Sequence, residues 1–124
     1  NCLINKKKIP IYGKGSNIRN WLFVNENNKA IYSVFNKGKF GNNYNIGSNI
    51  ELTNYDIVVK ICDLFKKIKK SNFNYRSLIN FVEDRKGHDQ RYSLSIKKIT
   101  KEIKWKPKNN FENNLKKTIQ HYSS

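Results

Sequence analysis

Between Glu83 and Tyr92 the sequence reads Glu83-Asp84-Arg85-Lys86-Gly87-His88-Asp89-Gln90-Arg91-Tyr92, with two arginines, a histidine and three carboxylates around one glycine. Guanidinium groups grip phosphate oxygens through paired hydrogen bonds, and a glycine lets the backbone turn close to a ligand. The pattern therefore suits a phosphorylated ligand. The same run also reads as a solvated turn laced with ion pairs, because charged clusters are commonly plain surface. A second stretch, Gly13-Lys14-Gly15, superficially resembles a phosphate loop. The G-x-x-x-x-G-K-[ST] spacing is absent there and no long helix follows directly, so a nucleotide P-loop is not expected.

The elements that would position these residues can be read from hydrophobic spacing. Lys6 to Tyr12 predicts a short edge strand ending in the turn Gly13 to Asn17, and Ile18 to Val24 predicts a short buried strand with Asn25 as the cap of a following helix. In that helix Ala30, Ile31, Val34 and Phe35 recur at helical spacing, with Gly38 placed to end it in a left-handed conformation. Tyr44-Asn45-Ile46-Gly47 reads as another short strand. The clearest helix starts at Thr53 or Asn54 and carries the stripe Ile57, Val58, Ile61, Cys62, Leu64, Phe65 and Ile68, with lysine pairs on its other face. A polar stretch from Ser71 to Asn80 leads to Phe81-Val82, a strand end that feeds the charged run. Ile96, Ile99 and Ile103 mark a shorter helix with Ser95 as its cap, closed by Trp105-Lys106-Pro107. Phe111, Leu115, Ile119 and Tyr122 mark the last helix, with Glu112 in its first turn favouring the helix dipole. The expected fold class is mixed α/β: one unit over residues 1–124, helix-rich with several very short strands, a lobe that needs a partner.

The chain has 124 residues, a formal charge of +16 and a pI near 9.9. Such charge ordinarily points to nucleic acid or an anionic membrane. Here the lysines are spread in short runs along solvent-facing helix positions, while the aromatics fall at core spacing. Neither a nucleic-acid nor a membrane partner is expected. Cys2 and Cys62 lie far apart and form no C-x-x-C pair, so no disulfide framework or zinc site follows, and Cys62 is expected as a buried small hydrophobe. No apolar run reaches membrane-spanning length, and a reducing cytoplasm is the expected compartment. The chain begins at Asn1 and contains no methionine, so a piece of a longer product is expected.

Four blocks together resemble the C-terminal, substrate-binding part of the dTDP-glucose 4,6-dehydratases, members of the extended short-chain dehydrogenase/reductase family. They are Pro10-Ile11-Tyr12-Gly13-Lys14-Gly15 with Ile18-Arg19-Asn20-Trp21-Leu22, then Tyr44-Asn45-Ile46-Gly47, then Asp84 to Tyr92, then Trp105-Lys106-Pro107. The resemblance implies that Pro10, Ile11 and Tyr12 line a nucleotide pocket and that Arg19 contacts the substrate diphosphate. It also implies substrate contacts at Asn54 and along Asp84, Arg85, Lys86, Gly87 and His88, for a dTDP-sugar substrate. The chemistry of several of these agrees: Arg19 and Arg85 are forks suited to diphosphate oxygens, Tyr12 offers a flat ring, and Asn54 stands at a helix N-terminus. His88 would either donate to a phosphate or hold the loop. The chain departs from the family at Asn20, where aspartate is usual and would orient Arg19, at Asn25 to Asn27, at Lys86, where proline is usual, and at Lys104, where glycine is usual.

For the intact parent the resemblance implies an NAD-dependent lyase and a homodimer. The sugar C4 is oxidised by NAD, water is lost across C5 and C6, and the hydride returns to C6. This chain shows neither the glycine-rich NAD fingerprint nor a Y-x-x-x-K spacing, since no tyrosine is followed by lysine at the fourth position. The expected role is thus sugar-nucleotide binding without catalytic or NAD-binding residues, most of the Rossmann domain being absent. The alternatives are a fragment of another nucleotide-sugar epimerase or decarboxylase, a small basic nucleic-acid-binding protein, and a gene remnant that does not fold alone.

Overall fold

A computed structural model describes residues 1–108 and 110–123. Strand β1 (Ile9–Tyr12) runs parallel to β4 (Ile79–Val82), with Ile9 opposite Ile79 and Tyr12 opposite Val82. Parallel neighbours need a long crossover. Here it holds an antiparallel pair, β2 (Ile18–Asn20) against β3 (Glu51–Thr53), and two helices, α1 (Val24–Lys37) and α2 (Asn54–Ile68). A 3₁₀ turn at Tyr75–Leu78 precedes β4, and α3 (Lys97–Ile103) and α4 (Phe111–Ser123) follow it.

Helix α2 starts as its sequence dictates: the Thr53 hydroxyl oxygen accepts the Asp56 N–H at 3.0 Å, satisfying one of the first-turn donors. Its apolar stripe then packs on α4 and the 3₁₀ turn, burying Cys62, Phe65, Tyr75, Leu78 and Ile119 in one cluster. Phe65 and Tyr75 meet edge to face with ring centres 4.9 Å apart. Cys62 is buried as expected, its sulfur 3.6 Å from the Tyr75 carbonyl, and burial pushes its thiol up. A second cluster joins Ala30 of α1 to Ile99 and Ile103 of α3 and to Trp105.

Several local expectations are corrected. The strand expected to be buried is half-buried throughout, and it ends at Asn20 rather than Val24, because its partner β3 is only three residues long. Helix α1 begins at Val24 with Phe23 at the cap position, its carbonyl accepting from Glu26 and Asn27, so Asn25 lies inside the helix. Of the apolar positions expected on α1, Ala30 and Val34 pack, while Ile31 and Phe35 lie exposed, Phe35 at 85%. Gly38 is not left-handed, with φ at −69°. Glycine fits there because a Cβ would stand 2.5 Å from the Val34 carbonyl oxygen.

Residues 44–47 form no strand, having no ladder partner among the described residues. Side chains hold the segment instead: the Tyr44 hydroxyl donates to Glu102 at 2.9 Å, and Tyr44 and Ile46 pack on the second cluster. The polar stretch before β4 contains the 3₁₀ turn, with Tyr75 and Leu78 buried. Ser95 is not the cap of α3; Ile96 occupies that position, its carbonyl accepting from Thr100. Lys104 ends α3 at φ +62°, in the left-handed region that disfavours a side chain.

Candidate functional site

The ends of β1 and β4 place the charged run. After Tyr12 the Gly13 N–H continues the ladder to the Val82 carbonyl at 2.9 Å, and the chain then turns at positive φ through Gly13 and Gly15. A Cβ on Gly13 would stand 2.7 Å from the Asp84 carboxylate, and one on Gly15 would stand 2.7 Å from the Ile11 side chain. Both glycines are thus needed for close approach as well as for φ. The turn delivers the chain to β2, whose Ile18 exchanges backbone hydrogen bonds with Gln90 and Tyr92. Asn17, fully buried, donates its side-chain amide to the Asp89 carbonyl at 3.1 Å. Those contacts carry residues 84–92 across the edge of both strand pairs.

Within that frame the side chains form one connected set. Arg19 donates Nη1 to its neighbour's Ile18 carbonyl at 2.8 Å, and Nη2 to the Asp89 carbonyl at 3.0 Å and to His88 Nε2 at 3.1 Å. Arginine has only donors, so His88 Nε2 must present its lone pair and the ring proton sits on Nδ1. That proton is donated to Asp84 Oδ1 at 2.7 Å. The His88 hydrogen bond, followed by the Arg85 backbone N–H, holds the Asp84 carboxyl below its ordinary value. Arg19 lies over the Tyr92 ring at 4.7 Å and Arg85 over the Tyr12 ring at 4.3 Å, while the Tyr12 ring meets His88 edge-on. The Tyr92 hydroxyl donates to the Asp89 carboxylate, and that bond raises the Tyr92 phenol.

Among the described residues the acid–base pairs within ion-pair distance are Lys29–Glu26, Arg76–Asp63, His88–Asp84 and Arg91–Glu51. Arg19 and Arg85 belong to none of them. Two guanidinium groups therefore border the same Tyr12–His88 pair, held by carbonyls, an imidazole and aromatic faces rather than by carboxylates. Such a surface suits an anion with two charged groups.

Of the residues expected to bind substrate, Tyr12, Arg19, Asp84, Arg85 and His88 come together. Lys86 and Gly87 form the exposed tip of the 85–88 turn, Gly87 at φ +70°. Pro10 is exposed and Ile11 buried at 3%, so Ile11 offers a neighbouring ligand backbone more than side chain. Asn54 is half-buried at the start of α2, but the amides there are already engaged: Asn54 N–H bonds the Asn17 carbonyl and Tyr55 N–H the Gly15 carbonyl, both at 3.0 Å. The helix N-terminus consequently braces the Gly13–Asn17 turn.

Asn20 does not act on Arg19. Strand alternation sends it to the opposite side, where its amide donates to the Ser48 carbonyl and its oxygen accepts from the Ser48 N–H, both at 2.6 Å. An aspartate could make only the second of these bonds. Sequence reasoning did not assign Asn17, Asp89 or Tyr92 a part in this set. Asp89 and Tyr92 lie in the charged run, whereas nothing local distinguishes Asn17 from the neighbouring polar turn residues.

The set lies on open surface. Two apolar clefts, of about 320 and 730 Å³, lie elsewhere against α2 and α4 and are lined by none of these five residues. The Gly13-Lys14-Gly15 turn is not a dinucleotide fingerprint: it joins two strands, Ile18 stands where the third glycine is needed, and β2 rather than a helix follows it directly. No group of three or more metal-ligating side chains occurs among the described residues, and no helix there is long and apolar enough to cross a membrane.

The architecture is that of part of an extended short-chain dehydrogenase/reductase. The chain belongs to the GDP-mannose 4,6 dehydratase family, whose sequence model matches residues 1–118. It is similar to the dTDP-glucose 4,6-dehydratase of Shigella flexneri, with 46% identity over 94% of this chain and 32% of that protein. It also superposes on a dTDP-glucose 4,6-dehydratase from Streptomyces venezuelae solved with NAD bound, with a TM-score of 0.86, 33% identity, and 98% of this chain matched to 35% of that one. A UDP-glucose 4-epimerase from Thermotoga maritima, with a TM-score of 0.79 and 22% identity over 98% of this chain and 36% of its own, shares the fold alone. The chain spans about a third of the length of the curated relatives it matches.

Proposed function

We propose that this chain is the sugar-nucleotide-holding portion of a dTDP-glucose 4,6-dehydratase, an NAD-dependent lyase whose catalytic residues and NAD site lie in the rest of the parent. The observation that carries this reading is the pair of guanidiniums, Arg19 and Arg85, brought beside Tyr12 and His88 with no carboxylate paired to either arginine. Arg19 and Arg85 bind the diphosphate oxygens, and the Tyr12 ring packs against a flat face of the ligand. Pro10, Ile11, Asn54, Lys86 and Gly87 supply the further substrate contacts that the resemblance implies. Binding energy gathered on the nucleotide serves to place the reacting sugar, the use that remote groups of a substrate commonly have. Sequence similarity to dTDP-glucose 4,6-dehydratases, against fold likeness alone for the epimerase, favours a dTDP-sugar.

The test is calorimetric titration of dTDP-glucose into the 124-residue protein and into its Arg85→Ala variant. Saturable binding that the variant weakens by roughly tenfold or more supports the reading, since a charge-assisted hydrogen bond is lost. Equal affinity for the two proteins overturns it. The chain alone is expected to show no dehydratase turnover, and product formation by the purified piece would contradict that.

A further inference from the structure

Resting on that reading, the geometry points to His88 as a positioning residue that orients Arg19 for the diphosphate through its Nε2 lone pair, with Asp84 fixing the imidazole from the other side. Three of the five N–H groups of Arg19 are spent on Ile18, Asp89 and His88, which sets the guanidinium plane and leaves two for a ligand. The two carbonyls belong to backbone. His88 is therefore the one acceptor of the three that a change of protonation can remove.

Its side chain is only 11% exposed and both ring nitrogens are already engaged. Little of the ring remains for direct contact with a phosphate. The charged and titratable groups facing this ring are Asp84 on its Nδ1, Arg19 on its Nε2, and Tyr12 at its edge with Arg85 stacked beyond; Asp89 and Tyr92 adjoin through Arg19.

The two possible roles of His88 predict opposite pH behaviour. As a direct phosphate donor, His88 would bind dTDP-glucose more tightly once protonated, because a positive N–H would meet the anion. As the acceptor for Arg19 it does the reverse. Protonation puts an N–H opposite the Arg19 N–H, breaks the bond, and turns the guanidinium away from its held plane. Both phosphates of dTDP-glucose are esterified, so the ligand itself does not titrate across the range in which histidines commonly change charge.

The experiment titrates dTDP-glucose into the 124-residue protein between about pH 8 and about pH 5, the span over which an imidazole serves as a switch. The same titrations are run with His88→Gln and His88→Leu. Affinity is expected to fall by roughly tenfold on acidification of the wild type, the size of one lost bond to a charged group. Glutamine can accept from Arg19 while donating to Asp84, so His88→Gln should keep the higher-pH affinity within a few-fold and show a flat profile. His88→Leu should be weak at every pH; its circular dichroism reports whether it folds, and the glutamine variant carries the test if it does not. Tighter wild-type binding at low pH, or a profile unchanged by His88→Gln, overturns the positioning role while leaving the site in place. An absence of dTDP-glucose binding at any pH overturns the reading of the site itself, and this inference with it.

Discussion

The cluster around α2 and α4 and the run from Asp84 to Tyr92 satisfy their side chains in contrasting ways. The first removes Cys62, Phe65, Tyr75, Leu78 and Ile119 from water, and its stability comes from apolar burial and close packing. The second is mostly exposed and consists of hydrogen bonds and cation–aromatic contacts joining β1, β2 and the 85–88 turn. Exposed polar contacts add little net stability, because water competes for every one of them. What they supply is direction: Arg19 and Arg85 are aimed without a carboxylate partner, and His88 is held between Arg19 and Asp84. One region makes a folded unit, and the other uses that rigidity to hold charged groups at the surface in the arrangement proposed to bind a diphosphate.

The sharpest separation is expected from Phe65→Ala, which empties a buried aromatic site and should cost about 3–5 kcal/mol in denaturant unfolding. Arg85→Ala comes next. It should weaken dTDP-glucose binding by roughly tenfold or more while leaving the unfolding midpoint near its original value. A matching loss of stability in Arg85→Ala would erase the distinction between the two regions.

Lys104→Gly tests a cost stored outside both. At φ +62° a side chain is strained, so glycine should raise stability by about 1 kcal/mol, read as an upward shift of the thermal midpoint with dTDP-glucose affinity unchanged. The family resemblance anticipated glycine at this position, and the backbone shows why it suits the end of α3.

The smallest effect is expected on acidification. Asp84, held chiefly by His88, Glu51, held by Ser93 and then Arg91, and Asp63, held by Arg76, all lie below the ordinary carboxylate range. A carboxyl lowered in the folded state stabilises it above the unfolded values of about 3.9 for Asp and 4.3 for Glu. That contribution disappears as pH falls through the lower folded values. Urea midpoints should therefore be level above about pH 5 and decline below about pH 4, with Asp63→Asn reducing the slope. A decline that begins well above this window would point to another group.

Much of the helical framework was legible beforehand because it depends on local order. The stripe from Ile57 to Ile68 and the one from Phe111 to Tyr122 each repeat at helical spacing, and Thr53 caps α2 by a contact three residues away. Elements that need distant partners were less legible. Tyr44 to Gly47 has the composition of a strand but no strand beside it among the described residues, and Ile18 to Val24 pairs only as far as β3 reaches. Caps expected at Asn25 and Ser95 moved to Phe23 and Ile96, neither of which supplies a side-chain capping bond.

By itself the sequence determined the residue types of the charged set around His88, the helices that carry the fold and, through four ordered blocks, the family. Only the tertiary structure decided that Asn20 turns away to Ser48, that the amides opening α2 brace a turn, and that His88 meets Arg19 across 69 positions of chain. The physical reason is range. Periodicity and capping act within a few residues, whereas the direction of a guanidinium or imidazole is set by whichever donor or acceptor the fold brings to it.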